Sequence, residues 1–389
     1  MILKKTAIDF FNKIIEIKSY NIEGKIECSK IIGEELKNMG FAVKVYKEYG
    51  SPIILAHYYN NCEKSILFYS HYDVKPEGNI HEWKTNPFIP YYDYENGRVY
   101  ARGTGDAKGQ IFAIMEGIRK AIEDLRKINY NITVLYEGDE ESNSVGLEEF
   151  CKKELSNDIY ESIIVNDSHW LDENPVIFMG NRGQMDIKLV YTIPEMIENY
   201  HAGNYGGIEQ GAARTFIPLL DNILSEIESQ IRCSVLDEGY GNAISLTYIS
   251  AGDEKRSVIP KQITAKIDVR YIEDNIPNKV IGILGSYAYK NGIEYQVMQN
   301  ESGYYNTPNK DFLKMMKDIL DDVTKKKTMA LNYCGAYLPI KKLASVQGTK
   351  YVIPIAQADE CNHAPNENIS FENIQYGINF VKELLCSGK

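Results

Sequence analysis

Three short apolar runs, each breaking off just before a side chain able to hold a metal, constrain this 389-residue chain more than anything else in it. Ile66, Leu67, Phe68 and Tyr69 lead to His71; Ile132 to Tyr136 lead to Glu140 and Glu141; Ile163 to Val165 lead to Asp167. Short unbroken runs of this kind mark strands buried on both faces, as parallel strands between helix layers are. The four side chains then fall at strand carboxyl ends, where open α/β sheets bind their ligands. Two more stretches sit at helix entries. Asp106 in RGTGDAKGQ precedes Ile111, Ile114, Met115, Ile118, Ile122 and Leu125 at helical spacing. His363 in CNHAPNE precedes Ser370, a suitable N-cap, and a stripe of Phe371, Ile374, Ile378, Val381 and Leu385. Two histidines with this set of carboxylates suit a pair of zinc-type ions and leave one glutamate over as a base, so a hydrolase is the expected class.

Bulk properties narrow the field. The length suits two domains, because single cores stop growing at about 250 to 300 residues. A formal net charge of −11 repels phosphate backbones and argues against a nucleic-acid partner. No run of about 18 apolar residues offers a membrane span. The N-terminal MILKKTAIDFFNKII, broken by Asp9 and Asn12, reads as an amphipathic helix in place of a signal peptide. Seven cysteines without a C-x-x-C pair indicate neither a disulfide framework nor a zinc ribbon, and are expected to be buried, reduced thiols in a cytoplasmic protein.

Between residues 181 and 300 the texture changes. Met185, Ile187, Leu189 and Tyr191 alternate with polar residues, as do Ile244, Leu246 and Tyr248, and Ile263 through Tyr271. Helical stripes at Phe216, Leu219, Leu220, Ile223, Leu224 and Ile227, and at Val280, Ile281, Leu284, Tyr287 and Ala288, fall between them, with a last strand near Ile293 to Val297. The order β-α-β-β-α-β is that of a ferredoxin-like unit. The expected fold is therefore a mostly parallel α/β domain (residues 1–180 and 301–389) carrying an inserted α+β domain at 181–300.

HYDV with Trp83, Pro87 and Phe88 after it, then GRVYARGTGDAKGQ, EGDEES, VNDS, GNRG, YHAGNYGG, SVIP and HAPNE, occur in one order. That ordered set resembles the M20 family of dinuclear metallopeptidases, in its dipeptidase and carnosinase-like branch, from about residue 10 to the end. The resemblance implies that His71 and Asp167 bind one ion, Glu141 and His363 the other, and Asp106 both. It implies two divalent ions, zinc first, with manganese or cobalt as alternatives. Asp73 would fix the ring of His71, Glu140 would act as general base, and the peptide bond after Asp106 would be cis. The insert would serve as lid and as the surface of a homodimer. His201 would stabilise the oxyanion in the partner's site, and Arg270 would clamp a substrate carboxylate.

One loop departs from the family. Where carnosinase-like members carry Gly-Gly-Ser-Ile-Pro, this chain reads Cys334, Gly335, Ala336, Tyr337, Leu338, Pro339, so a tyrosine stands at the serine position. Gly335 and Tyr337 are substrate-binding candidates. The expected substrate is a dipeptide or other small peptide; an N-acyl or aminoacyl amino acid amidohydrolase is the alternative, and a metal-binding protein without catalysis a remote one.

Overall fold

The computed structural model describes residues 4–232, 235–236 and 239–387. Cys233 and the first three residues of the N-terminal stretch lie outside them. The chain divides into two compact units, Met1–Gly180 with Tyr305–Leu331 and Leu338–Lys389, and Asn181–Tyr304 with Asn332–Tyr337.

The first unit opens with α1 (Lys5–Glu16), whose buried stripe is Ala7, Phe10, Phe11, Ile14 and Ile15. Helix α2 (Ile22–Asn38) is capped by the Asn21 side chain, which accepts the Gly24 N–H at 2.8 Å. Strands β1 (Ala42–Tyr46), β2 (Ile53–Tyr58) and β3 (Ser65–His71) precede α3 (Lys108–Glu123), β4 (Asn131–Glu137), β5 (Ile159–Val165) and β6 (Val176–Phe178). In the second unit come β7 (Gly183–Thr192), α4 (Gly211–Ile231), β8 (Ala243–Ala251), β9 (Gln262–Tyr271), α5 (Ile276–Asn291) and β10 (Ile293–Glu301). Helix α6 (Lys310–Thr324), β11 (Met329–Leu331), β12 (Gln347–Val352) and α7 (Phe371–Cys386) return the chain to the first unit.

One eight-stranded sheet of order β1-β2-β4-β3-β5-β12-β6-β11 organises the first unit. Its centre is parallel: β4, β3, β5 and β12 pair in one direction, so their carboxyl ends share an edge. These strands are nearly wholly buried, which is why their sequences are continuous apolar runs. Helices α3 and α7 lie against each other, with Gly117 at the crossing, where a Cβ would come within 2.6 Å of Val381. Ser370 caps α7, accepting the Asn373 N–H at 2.9 Å.

The second unit is a four-stranded antiparallel sheet of order β8-β9-β7-β10 with α4 and α5, the ferredoxin-like arrangement. Met185, Ile187, Leu189, Ile263, Ala265, Ile267 and Val269 form its core with Phe216, Ile223, Ile227 and Val280. Strand β8, at the sheet edge, differs from the expected half-buried pattern: Leu246, Tyr248 and Ile249 are exposed. The segment Asn332–Tyr337 also groups with this unit, through bridges of Tyr333 with Gly239 and of Cys334 with Asn181. Among the described residues no helix is long and apolar enough to cross a membrane.

The expectation of uniformly buried cysteines is corrected. Cys28, Cys151 and Cys334 are buried, but Cys62 and Cys386 are half-buried and Cys361 is exposed, in the loop before α7.

Glu137, the last residue of β4, is buried with its Oε1 accepting the Tyr69 hydroxyl at 2.5 Å and that of Ser144 at 2.8 Å. Burial pushes its carboxyl up to about 7, against those hydrogen bonds. A folded-state value above the unfolded one means a stabilising contribution that is complete below about 4.5 and is lost as pH rises through about 7. Glu137→Gln keeps both acceptor contacts without the titration. Its stability relative to the parent should therefore improve by on the order of 2 kcal/mol between pH 4.5 and pH 8. Chemical denaturation at both pH values checks this; a pH-independent difference would show that the carboxyl is not raised.

Candidate metal centre

The strand ends deliver the side chains. His71 is the final residue of β3, Glu140 and Glu141 begin a 3-10 turn three residues past β4, and Asp167 lies two residues past β5. Asp106 lies one residue ahead of the α3 cap Ala107, with a cis bond between them, and His363 is held with φ of 58° in the loop before α7.

Among the described residues, two groups of three have ligand atoms within 4.8 Å of one another: His71, Asp106 and Asp167, and Asp106, Glu141 and His363. Asp106 belongs to both. Its Oδ1 lies 2.9 Å from His71 Nε2 and its Oδ2 3.1 Å from His363 Nε2. His71 Nε2 is 3.6 Å from Asp167 Oδ2, and His363 Nε2 is 3.1 Å from Glu141 Oε1. Glu140 falls in neither group.

On the other face of His71, Nδ1 meets the Asp73 backbone carbonyl at 3.1 Å and lies 3.3 Å from Asp73 Oδ1. Asp73 Oδ2 accepts the Glu141 N–H at 3.1 Å, so Asp73 joins the first strand end to the second. Lys25 of α2 lies 3.9 Å from that carboxylate and 2.8 Å from Asp139, the residue before Glu140.

Negative charge is in excess. Burial first, and then neighbouring carboxylates, pushes Asp167 up to about 7 and lifts Glu140 well above the carboxylate range. Burial opposes ionisation of Asp106 too, but His363 and His71 outweigh it and hold that carboxyl low. Burial would lower both histidines, yet the carboxylates prevail, raising His71 well above its ordinary value and His363 to about 10. Divalent cations answer that excess, and the nitrogen and oxygen donors, with one carboxylate common to two triads, fit a pair of them.

The structure also brings in residues that the sequence did not assign. Lys75 donates to the Glu141 carbonyl at 2.6 Å and lies 3.0 Å from its Oε2. Glu360 is buried with both carboxylate oxygens unpartnered. Arg102 and Glu367 form a buried ion pair at 2.7 Å. Motif membership was the available signal for Arg102 and Glu367, since each stands four residues from a candidate ligand.

His201, Arg270, Gly335 and Tyr337 belong to the second unit. His201 pairs with Val258 in a short two-stranded ladder and is exposed, its Nδ1 accepting the Gly203 N–H at 3.1 Å. Arg270 Nε donates to Asp268 at 2.7 Å. The Gly335 carbonyl accepts from Arg182 at 3.0 and 2.7 Å, and the Tyr337 hydroxyl lies 3.4 Å from Glu301.

A Cys-Gly metallodipeptidase of Candida albicans is 32% identical over 232 residues, covering 53% of this chain and 47% of that protein. A succinyl-diaminopimelate desuccinylase of Ehrlichia chaffeensis is 24% identical over 367 residues, 91% of each chain. The chain spans less than half the length of the first curated relatives it matches. The solved structure of a di-peptidase from Saccharomyces cerevisiae shares the fold, with a TM-score of 0.81 at 17% identity over 98% of this chain and 95% of that one. The model of Peptidase family M20/M25/M40 matches residues 67–387, a span that takes in every loop from His71 to His363, and the chain belongs to that family.

Proposed function

We propose that this protein is a two-metal hydrolase of amide bonds in dipeptides or other small peptides, with Glu140 as general base. The observation that carries the proposal is the pair of three-residue groups meeting at Asp106. His71, Asp106 and Asp167 would hold one ion, and Asp106, Glu141 and His363 the other. Zinc is the proposed metal, manganese and cobalt being alternatives that such donors also suit. When bound, the pair would acidify water and polarise the scissile carbonyl.

The remaining work falls to the chain. Glu140, outside both groups, takes a proton from the attacking water and returns it to the leaving amine. Asp73 would accept a hydrogen bond from His71 Nδ1–H, fixing the ring and its tautomer and leaving the Nε2 lone pair for an ion.

The second unit is proposed as lid and dimerisation surface, a reading supported by the bare outer strand β8. In it His201 would stabilise the oxyanion of the partner's site, and Arg270 would grip a substrate carboxylate through its planar fork. Gly335 and Tyr337 would line the substrate pocket, the bulk of Tyr337 limiting the residue accepted. A cytosolic setting belongs to the proposal, in keeping with the six free thiols among the described residues.

The full-length likeness to a desuccinylase favours a second reading, hydrolysis of N-acyl amino acids. A panel of dipeptides beside N-acetyl and N-succinyl amino acids separates the two. Dipeptides should lead in kcat/KM by about 100-fold, and the reverse order would favour the second reading. On the same panel His201→Ala should lower kcat and Arg270→Ala should raise KM. Unchanged constants would remove either residue from the site.

A further inference from the structure

We infer that the buried Arg102–Glu367 pair is the positioning hub of the metal centre, setting the mutual geometry of the loops that carry His71, Asp106 and His363; the inference rests on the two-metal reading above. Glu367 Oε1 accepts three backbone N–H groups of the Asp106 loop, from Gly103 at 2.9 Å, Gly105 at 3.0 Å and Asp106 itself at 3.0 Å. Its Oε2 accepts Arg102 Nη1 at 2.7 Å. The other arm of the guanidinium, Nη2, donates to the carbonyls of Pro76 and His363, each at 3.3 Å. One ion pair thus touches the loop after His71, the loop that ends in Asp106 and the loop that contains His363.

Its burial argues for direction over stability. The side chains are 2% and 1% exposed, and desolvation of such a pair offsets most of its attraction, so an apolar pair of equal volume would hold a fold as well. An apolar pair could not aim three N–H groups and two carbonyls. The loops need aiming. Cys361, His363 and Asn366 hold φ of 58°, 58° and 65°, left-handed conformations that non-glycine residues adopt uncommonly, asparagine and histidine more readily than cysteine. On the other side, the Asp106 loop approaches the Glu360 carboxylate at Gly105, leaving no room there for a Cβ. The Trp83 ring covers the guanidinium at 5.2 Å.

The test titrates Co²⁺ into metal-free full-length protein, monitored by visible absorption and heat, beside thermal unfolding of the same samples. Glu367→Gln retains an oxygen for the loop N–H groups and removes the charge that orients Arg102. Arg102→Lys retains the charge and gives up the second arm. Glu367→Gln should weaken binding of both ions by about 10- to 100-fold and alter the absorption spectrum. Arg102→Lys should weaken the His363-containing position more than the other, and it decides the matter if the first variant does not fold. Arg119→Met, which breaks a pair with Glu35 and Glu116, should lower the unfolding temperature and leave Co²⁺ affinity unchanged. If the parent takes up two ions and both hub variants bind Co²⁺ like the parent, with lowered unfolding temperatures alone, the pair merely holds the fold and the inference is overturned. If the parent takes up fewer than two, the two-metal reading falls, and the hub with it.

Discussion

Replacing Glu140 with glutamine should lower kcat on the best substrate by about 10²- to 10⁴-fold while leaving two ions bound. Three observations set that expectation. Glu140 stands beside Glu141 on one turn but falls outside both ion-holding groups. Burial, foremost, and the charges of Asp167, Glu141 and Asp106 raise its proton affinity in the metal-free chain, and two bound cations would draw it back toward the range in which it ionises and can accept a proton. Glutamine preserves its shape and removes its basicity, so the loss should fall on kcat with little change in KM. A variant with parental kcat would end the assignment of Glu140 as base. One that loses metal along with activity would make Glu140 a ligand.

Asp106→Asn should have the larger effect, because one carboxylate serves both groups. Asp106 reaches His71 through Oδ1 and His363 through Oδ2. Asparagine offers one oxygen and no charge, and its amide nitrogen cannot donate a lone pair to a cation. Metal retained after dialysis should fall from two ions per chain to fewer than one, and hydrolysis to the background rate. The metal-free fold should survive. The Asp106 N–H still meets Glu367, and the substitution leaves the core untouched. Metal analysis by mass spectrometry, beside unfolding curves of the metal-free forms, checks both halves; two ions retained by the variant would show that the groups do not share Asp106.

How much of this was legible in the chain depends on the kind of information each part needs. Strands β3, β4 and β5 are continuous apolar runs because both faces are covered, so the sequence alone marks where each strand ends and which side chains stand just beyond it. The Ser370 cap and the alternating strands of the second unit are likewise local patterns. Contacts between distant loops carry no periodicity. Arg102 and Glu367 stand 265 residues apart, and nothing in either neighbourhood states that their side chains meet. The same holds for Lys75 on Glu141, and for the segment Asn332–Tyr337, which joins the second unit through isolated bridges.

The central claim is a pair of ions sharing Asp106, and anomalous diffraction at the zinc edge from zinc-loaded crystals tests it most directly. Two peaks are expected, one about 2.0 to 2.2 Å from His71, Asp167 and Asp106 and one at that distance from Glu141, His363 and Asp106. A single peak, or two peaks that do not both contact Asp106, would contradict it.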